Sequence, residues 1–432
     1  MYKINTVLSL AACVLAYTSA AMAEEQLDKV NICRVALPAI GKEGFVDSRG
    51  QWVIPPIYDD VKDFTEGLAA FRRNGRAGYL NSIGEEVISA KFEESSEFSE
   101  GLAAVKIDGY RGYINKSGKV VIPPLTTDYV GSFYEGLAWV ERGGKVSFIN
   151  PTGQTVIPPQ FAHAENFSSG LAPILRDYKW GYIDKSGQEI IARQFSSARS
   201  FSNGMAVVEI NNKWGYIDKT GKAEIPLQFD RADDFSENIA SIQKGNKWGY
   251  INNYGTAIIP PQFYSADKFI RGLAKIGLEP KSGDVIYYGY ISKSGDTVIK
   301  AMYSSLYHCQ NGLFVAQEKK DGAVLLLDGS GKRIVEFNKN EQERLERQNA
   351  KERVAREEKD KKEVVDLEEF IAKSICKGLK NGDTMSYTNP TAPDAGTRRV
   401  KIARVYDVRN EAMVRYLDPP TTFDVAHCGN LK

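Results

Sequence analysis

The stretch Lys213-Trp214-Gly215-Tyr216-Ile217-Asp218-Lys219-Thr220-Gly221 recurs, with substitutions, along three quarters of a chain of 432 residues. With the glycine of the Gly-Tyr pair as a marker, copies begin at Gly44, Gly78, Gly112, Ser147, Gly181, Gly215, Gly249 and Gly289, and a degenerate ninth begins at Leu325. The successive spacings are 34, 34, 35, 34, 34, 34, 40 and 36 residues. So regular a period belongs to an array, because a unit of this size cannot bury its own apolar face and must stack on its neighbours.

Each copy reads as three short strands. The first carries Trp214, Tyr216 and Ile217, and the turn Asp218-Lys219-Thr220-Gly221 leads into a second that runs to Ile225-Pro226. Asx at the first turn position and Gly at the fourth is a type I signature, and eight of the nine copies carry Asp or Asn there, Ser292 being the exception. Proline, lacking an N–H, is expected to end the second strand at Ile54-Pro55-Pro56, Ile122-Pro123-Pro124, Ile157-Pro158-Pro159 and Ile259-Pro260-Pro261. Two aromatic positions follow, Phe229 and Phe235 in this copy, and both are expected to pack between units. The third strand is of the Gly204-Met205-Ala206-Val207-Val208 type. The fold class is therefore all-β: about nine three-stranded antiparallel meander units of ~34 residues, in a solenoid or propeller-like array.

On these residues the chain resembles the bacterial WG-repeat (KWG repeat) proteins. The likeness is carried by Lys179-Trp180-Gly181-Tyr182-Ile183-Asp184, residues 213–221 and Lys247-Trp248-Gly249-Tyr250-Ile251-Asn252, with the Ile-Pro-Pro-Gln-Phe and Phe-Ser-Glu-Gly-Leu-Ala blocks between copies. The Trp before the marker stands only at 180, 214 and 248; Glu43, Ala77, Arg111, Val146 and Tyr288 replace it elsewhere. The resemblance implies an all-β repeat array and supplies no catalytic residues.

The flanks differ from the array. Residues 1–23 read as an export signal, with Lys3, an apolar run over 7–17 and cleavage between Ala23 and Glu24 after Ala21-Met22-Ala23. Leu10-Ala11-Ala12-Cys13 is a competing lipobox that would anchor the protein at Cys13. The location expected is thus periplasmic or extracellular, soluble or lipid-anchored, with no transmembrane segment of ~20 apolar residues. Removing Lys3 takes the formal charge from +1 to zero, which excludes the basic surface that a nucleic-acid partner requires. The repeat domain spans 24–337. Residues 338–379 form a charged helix or linker with acid-first i,i+4 pairs such as Glu343/Arg347 and Glu357/Lys361, and residues 380–432 a small β module. Four cysteines survive cleavage, and the expected disulfides are Cys376–Cys428 and Cys33–Cys309. The second requires the two ends of the array to meet.

No catalytic set, cofactor or metal is expected. His163, His308 and His427 lack partners at ligand or triad spacing. Gly329-Ser330-Gly331-Lys332-Arg333 lacks the rest of a phosphate-binding loop and is a repeat turn. The Asx turn residues read as structural rather than as a calcium ladder, and the carboxylate column Glu66, Glu100, Glu135 and Glu237 is interrupted by Ser169, Asn203 and Arg271. Two features could carry specificity: the insertion over 277–288, and the aromatics Trp139, Trp180, Trp214 and Trp248, whose plainer role is inter-repeat core. The functional expectation is an exported, non-enzymatic scaffold binding a protein partner; the alternative ligand is a cell-wall or exopolysaccharide glycan.

Overall fold

The structural repeat is out of phase with the sequence motif. The computed structural model describes residues 32–280, 285–318, 322–355 and 358, and the backbone of five strands between 384 and 427. Over 33–337 the strands form nine antiparallel sheets, here called blades 1 to 9: residues 33–58, 60–92, 94–125, 129–161, 163–195, 197–229, 231–263, 265–303 and 305–337. Blade 6 is typical, with strands Ser197–Ala198, Ala206–Ile210, Lys213–Ile217 and Ala223–Phe229 paired in chain order. Blades 2 to 9 are thus four-stranded rather than three-stranded, and each joins the Gly-Leu-Ala strand to the Trp-Gly strand of the next copy. The additional strand is two residues long in seven of these blades and four in blade 9, too short to show a period-2 pattern. In blade 6 it is held by Ser196 N–H donating to Glu209 O (2.8 Å) and Arg199 N–H to Val207 O (3.2 Å).

The prolines do not end their strand. Strands Trp52–Tyr58, Thr155–Phe161 and Ala257–Phe263 run through the Pro-Pro pair. Each is the last strand of its sheet, where a missing N–H breaks no further ladder. The register explains the tolerance: Tyr250 opposes Ile259 while Trp248 opposes Phe263, so residues 260–262 bulge out opposite Gly249. That bulge lies over the marker glycine, and a Cβ on Gly215 would stand 2.7 Å from Ile225 O and Leu227 N. The Gly-Tyr motif is therefore a clearance for the neighbouring backbone. Replacing Gly215 by Ala should cost about 1–3 kcal/mol, since backbone rather than a side-chain tip must yield; an unchanged urea midpoint would contradict this.

Blades stack by one contact repeated around the domain. The turn glycines Gly84, Gly118, Gly153, Gly187, Gly221, Gly255, Gly295 and Gly331 each sit on the isoleucine of the blade before: Ile54, Ile88, Ile122, Ile157, Ile191, Ile225, Ile259 and Ile299. Gly221 shows the geometry, with φ at +86° and its Cβ position 3.0 Å from Ile191 Cγ2. Beside this contact the buried tyrosine of each Gly-Tyr pair packs on the second aromatic of the next blade, as in Tyr79–Phe98 and Tyr216–Phe235 at 4.7 Å. Its hydroxyl donates to a backbone carbonyl there, Tyr216 to Asp233 O and Tyr113 to Gly131 O, both at 2.7 Å. Both aromatics thus pack between units as expected: the second meets the tyrosine of the blade before, and the first, Phe229 in blade 6, ends its outer strand in a core cluster with Ala232, Phe235 and Ala240 of blade 7.

The same contact closes the array on itself. Gly50 of blade 1 sits on Val335 and Leu326 of blade 9, and Val335 opposes Leu326 in the position where Ile225 opposes Tyr216. One core cluster draws on Cys33, Val35 and Leu37 from blade 1 and on Val315, Val324 and Leu326 from blade 9. Cys33 and Cys309 are disulfide-bonded with Cα atoms 5.3 Å apart, as expected from the sequence. The array is a closed propeller of nine blades, which resolves the solenoid alternative. Among the described residues blade 1 has three strands and no short inner one. Tyr307 of blade 9 donates its hydroxyl to Arg34 O (2.6 Å) and accepts from Ala36 N–H, two groups on the strand edge where the other blades carry their inner strand. Just beyond blade 9, a helix over 339–355 fastens the seam through Gln342, whose Oε1 accepts from Ala39 N–H (3.0 Å).

The chain divides into two units, 1–346 and 347–432. In the second, Thr384–Thr388 pairs with Thr397–Lys401, and Val405–Val408, Glu411–Val414 and Ala426–His427 form a three-stranded sheet. Residues 1–31, with the export signal and Cys13, lie outside the described residues, as do the side chains of Cys376 and Cys428 and the apolar helix face from 364 to 379. Among the described residues no helix is long and apolar enough to cross a membrane.

Candidate functional site

The recurring polar residues of the motif are absorbed by the framework. At eight turns one side-chain oxygen of Asp or Asn accepts two backbone N–H groups; Asp218 Oδ1 takes those of Thr220 (2.8 Å) and Lys222 (3.0 Å). These bonds engage one oxygen of each Asx side chain as a cap on its turn. Asp328 does the same for Ser330 and Lys332, so residues 329–333 are a repeat turn. The carboxylate column is a set of clamps. Glu66, Glu100, Glu135 and Glu237 sit at φ of 51–53° and accept from the turn glycine N–H of the next blade, at 3.1, 2.9, 3.0 and 3.0 Å. Three also pair with a turn lysine of that blade: Glu66–Lys116 and Glu135–Lys185 at 3.2 Å, Glu237–Lys293 at 2.8 Å. The left-handed backbone costs about 1 kcal/mol per residue and is offset by bonds between blades.

The histidines are packing groups. His163 lies between Trp139 (6.4 Å) and Trp180 (5.6 Å), and His308 stacks on Phe314 at 4.7 Å. Burial, with a smaller contribution from Arg271, pulls the His308 imidazole down. The His427 side chain lies outside the described residues. Among the described residues no three His, Cys, Asp or Glu side chains are grouped to hold a metal ion.

A groove runs across blades 6, 7 and 8. Its larger part, about 680 Å³, is lined by Trp214 and Trp248 with Glu209, Asn212, Asp230 and Arg231; a second part of about 480 Å³ continues past Asp267 to Tyr290 and His308. Trp214 and Trp248 hold equivalent repeat positions, and each is half-buried against the core cluster that its blade shares with the next. The tryptophans therefore serve both readings, since the indole that lines the groove also seals the core. Arg199, shared by both parts, lies 5.7 Å from the Trp214 ring and 3.0 Å from Asp233. Burial opposes its charge, but the hydrogen bond to Asp233 and the fields of Asp234, Asp233 and Glu165 leave its pKa above the ordinary value. Next to it burial pushes the Asp234 carboxyl up, against the field of Arg199. Asp234 Oδ1 is buried without a hydrogen-bond partner among the described residues.

The motif-based reading missed Arg199 and Asp233, which belong to no recurring block. Their signal was positional: Glu165, Arg199, Asp233 and Asp267 stand 34 residues apart, a charged column beside the short inner strand that no periodicity revealed. The insertion separates Leu278 from Tyr287, and its residues 281–284 lie outside the described ones.

The family model described as WG containing repeat matches at residues 44–76, 78–110, 112–145, 147–180, 180–214, 214–248, 248–278 and 288–320. This chain belongs to the WG-repeat family. In this WG-repeat protein each matched unit straddles two blades, because the motif begins at the third strand of a sheet. No curated protein matches the sequence. Among solved structures a eukaryotic initiation factor is similar to it with a TM-score of 0.51 at 11% identity, over 71% of this chain and 96% of that one. The dihydro-heme d1 dehydrogenase NirN aligns with a TM-score of 0.39 at 10% identity, over 71% of this chain and 73% of that one. The first likeness is one of fold alone.

The clamps give a pH-dependent prediction. Burial would raise the Glu135 carboxyl, but its bonds from Lys185 and Gly170 N–H outweigh that and hold it below the ordinary value. A depressed folded-state pKa contributes stability above the unfolded value of about 4.3 and loses it as pH falls through the folded value. Glu135→Gln should therefore cost about 1 kcal/mol at pH 7, discounted for partial exposure, and progressively less below about pH 4. Paired urea titrations at pH 7 and pH 3 measure it, and an equal difference at both would rule out the clamp.

Proposed function

We propose that the closed ring is a non-enzymatic scaffold that holds a protein partner on the end of the propeller formed by the hairpins between the second and third strands. The observation that carries this reading is a set of uncovered aromatics on neighbouring blades at that end. Tyr110, Tyr129 and Tyr178 of blades 3, 4 and 5 are 51%, 59% and 94% exposed. Tyrosine supplies large contact area at low rotamer cost and is enriched among residues that dominate interface energy. Export to the periplasm or beyond is part of the same reading and is supported by the Cys33–Cys309 bond, since disulfides persist mainly in oxidising compartments. A glycan is the second candidate ligand, at the Trp214–Trp248 groove instead of the tyrosine hairpins.

The test is affinity capture from the native envelope fraction with the full chain, against a variant in which Tyr110, Tyr129 and Tyr178 are all alanine. These positions are exposed enough that the ring should fold unchanged. A partner held by the native protein and at least tenfold more weakly by the variant is the expected result. Equal retention by both, or no retained protein, would reject this surface.

A further inference from the structure

We propose that the groove across blades 6, 7 and 8 binds a neutral oligosaccharide, with sugar rings laid against the two indoles that line it, Trp214 and Trp248. This rests on the glycan reading and narrows it to a site and a charge class.

The first ground is the balance of charge. Across its two parts five carboxylates of the groove (Glu209, Asp230, Asp233, Asp234 and Asp267) meet five cations: Arg199, Arg231, Lys268 and Lys275 on the walls, and Lys213, the ion-pair partner of Asp230. Lys213 stands 2.7 Å from Asp230, Arg199 3.0 Å from Asp233 and Lys275 3.0 Å from Asp267, so the site neutralises itself. A polyanion would need a surplus of cations, and a basic peptide a surplus of carboxylates. Neither surplus exists here.

The second ground is the kind of valence left over. A carboxylate engaged by one cation keeps lone pairs free, and a guanidinium keeps N–H donors, so the walls offer acceptors and donors side by side. Asn212 and Ser265 add groups of both kinds, and Asp234 Oδ1 lies buried and unpartnered at the continuation of the groove. An apolar peptide anchor would leave these groups desolvated without replacement bonds, which is costly. A polyol satisfies them, because each hydroxyl both donates and accepts.

The third ground is the aromatic floor. Beyond the two indoles, only Ala232 and Ala266 among the larger part's lining residues are apolar, so the apolar contact on offer is flat and narrow. That matches the C–H face of a pyranose ring and suits a bulky aliphatic side chain poorly. Trp180 and Tyr288 hold the equivalent positions in blades 5 and 8 but do not line the groove, whose indole floor is confined to blades 6 and 7. With about 680 Å³ beside the indoles and about 480 Å³ in its continuation, the groove has the length that an oligomer requires. A chain of several sugars should bind better than one or two.

The experiment is isothermal titration of the full chain, followed in parallel by tryptophan fluorescence. Its probes are chitohexaose, cellohexaose, maltohexaose, the matching disaccharides, and polygalacturonate as the acidic control. Expected are saturable binding of at least one neutral hexamer, at least tenfold weaker binding of its disaccharide, and no binding of polygalacturonate. Trp248→Ala should lower the affinity at least tenfold. Because the indole also seals the core, the exposed pair Asn212→Gly and Arg231→Ala provides a second arm: glycine removes the amide while keeping the positive φ of 60° that position 212 requires, so the same loss is expected at an unchanged unfolding midpoint. Preference for chitohexaose would indicate an amino-sugar wall glycan, and preference for a glucose hexamer an exopolysaccharide source; either supports the site. Failure of all three hexamers, preference for polygalacturonate, or full affinity in the Asn212/Arg231 variant would overturn it. Failure here leaves the tyrosine hairpins standing, since their partner is read by a separate capture.

Discussion

The structure depends on one contact: a turn glycine with positive φ seated on a branched side chain of the blade before it. No blade can bury its own face, so stability is made at the interfaces, and this contact sets how closely two sheets approach. A side chain on Gly221 would meet both the left-handed backbone and Ile191. The marker glycine serves the same close packing within a blade, by making room for the bulged outer strand. Two glycines per unit, one between blades and one within, account for most of what recurs in the sequence. Because Gly50 repeats the contact on Val335, the array has no free end.

Closure is chemically different from the other interfaces. Blade 9 is built from contiguous chain, and among the described residues blade 1 has no inner strand. The phenol of Tyr307 bonds that edge instead, between Arg34 O and Ala36 N–H. The tyrosine that donates to the next inner strand in five blades is phenylalanine in blades 1 and 4 (Phe45, Phe148) and Leu326 in blade 9. A disulfide and a helix then reinforce the seam. The degenerate ninth copy is therefore a closing unit adapted to its neighbour.

The period, the turns, the number of units and the Cys33–Cys309 bond were all legible in the sequence, because each leaves a mark that recurs or a pair that must meet. The short inner strand was not legible, since two residues such as Ser197 and Ala198 hold no alternation. The strands running through Pro55-Pro56 and Pro260-Pro261 were misread because proline breaks a ladder only where a further strand needs its N–H. The candidate groove was half visible. Trp214 and Trp248 stood out by type, whereas Arg199 and Asp233 acquire meaning only when adjacent blades bring them to 3.0 Å. The clamp glutamates show the converse: a column that looked interrupted as a chemical site is a series of fasteners, beside serine hydroxyls (Ser99, Ser168, Ser202 and Ser236) that bond the next blade whether or not the carboxylate is there.

Function follows from breaking the symmetry of the ring. The framework residues repeat, while Tyr110, Tyr129 and Tyr178 stand on blades 3 to 5 and the groove lies on blades 6 to 8, so different arcs present different residues on one support. All of this presupposes that the ring is closed, and the distance between its first and last turns tests that most directly. Spin labels at positions 49 and 333, measured by pulsed electron resonance, should report a single short separation, because the adjacent Gly50 packs on the blade that contains Val335. An open stack of nine sheets would place them on the order of 80 Å apart, from the ~10 Å spacing of packed sheets. A long or broad distribution would contradict the closed propeller.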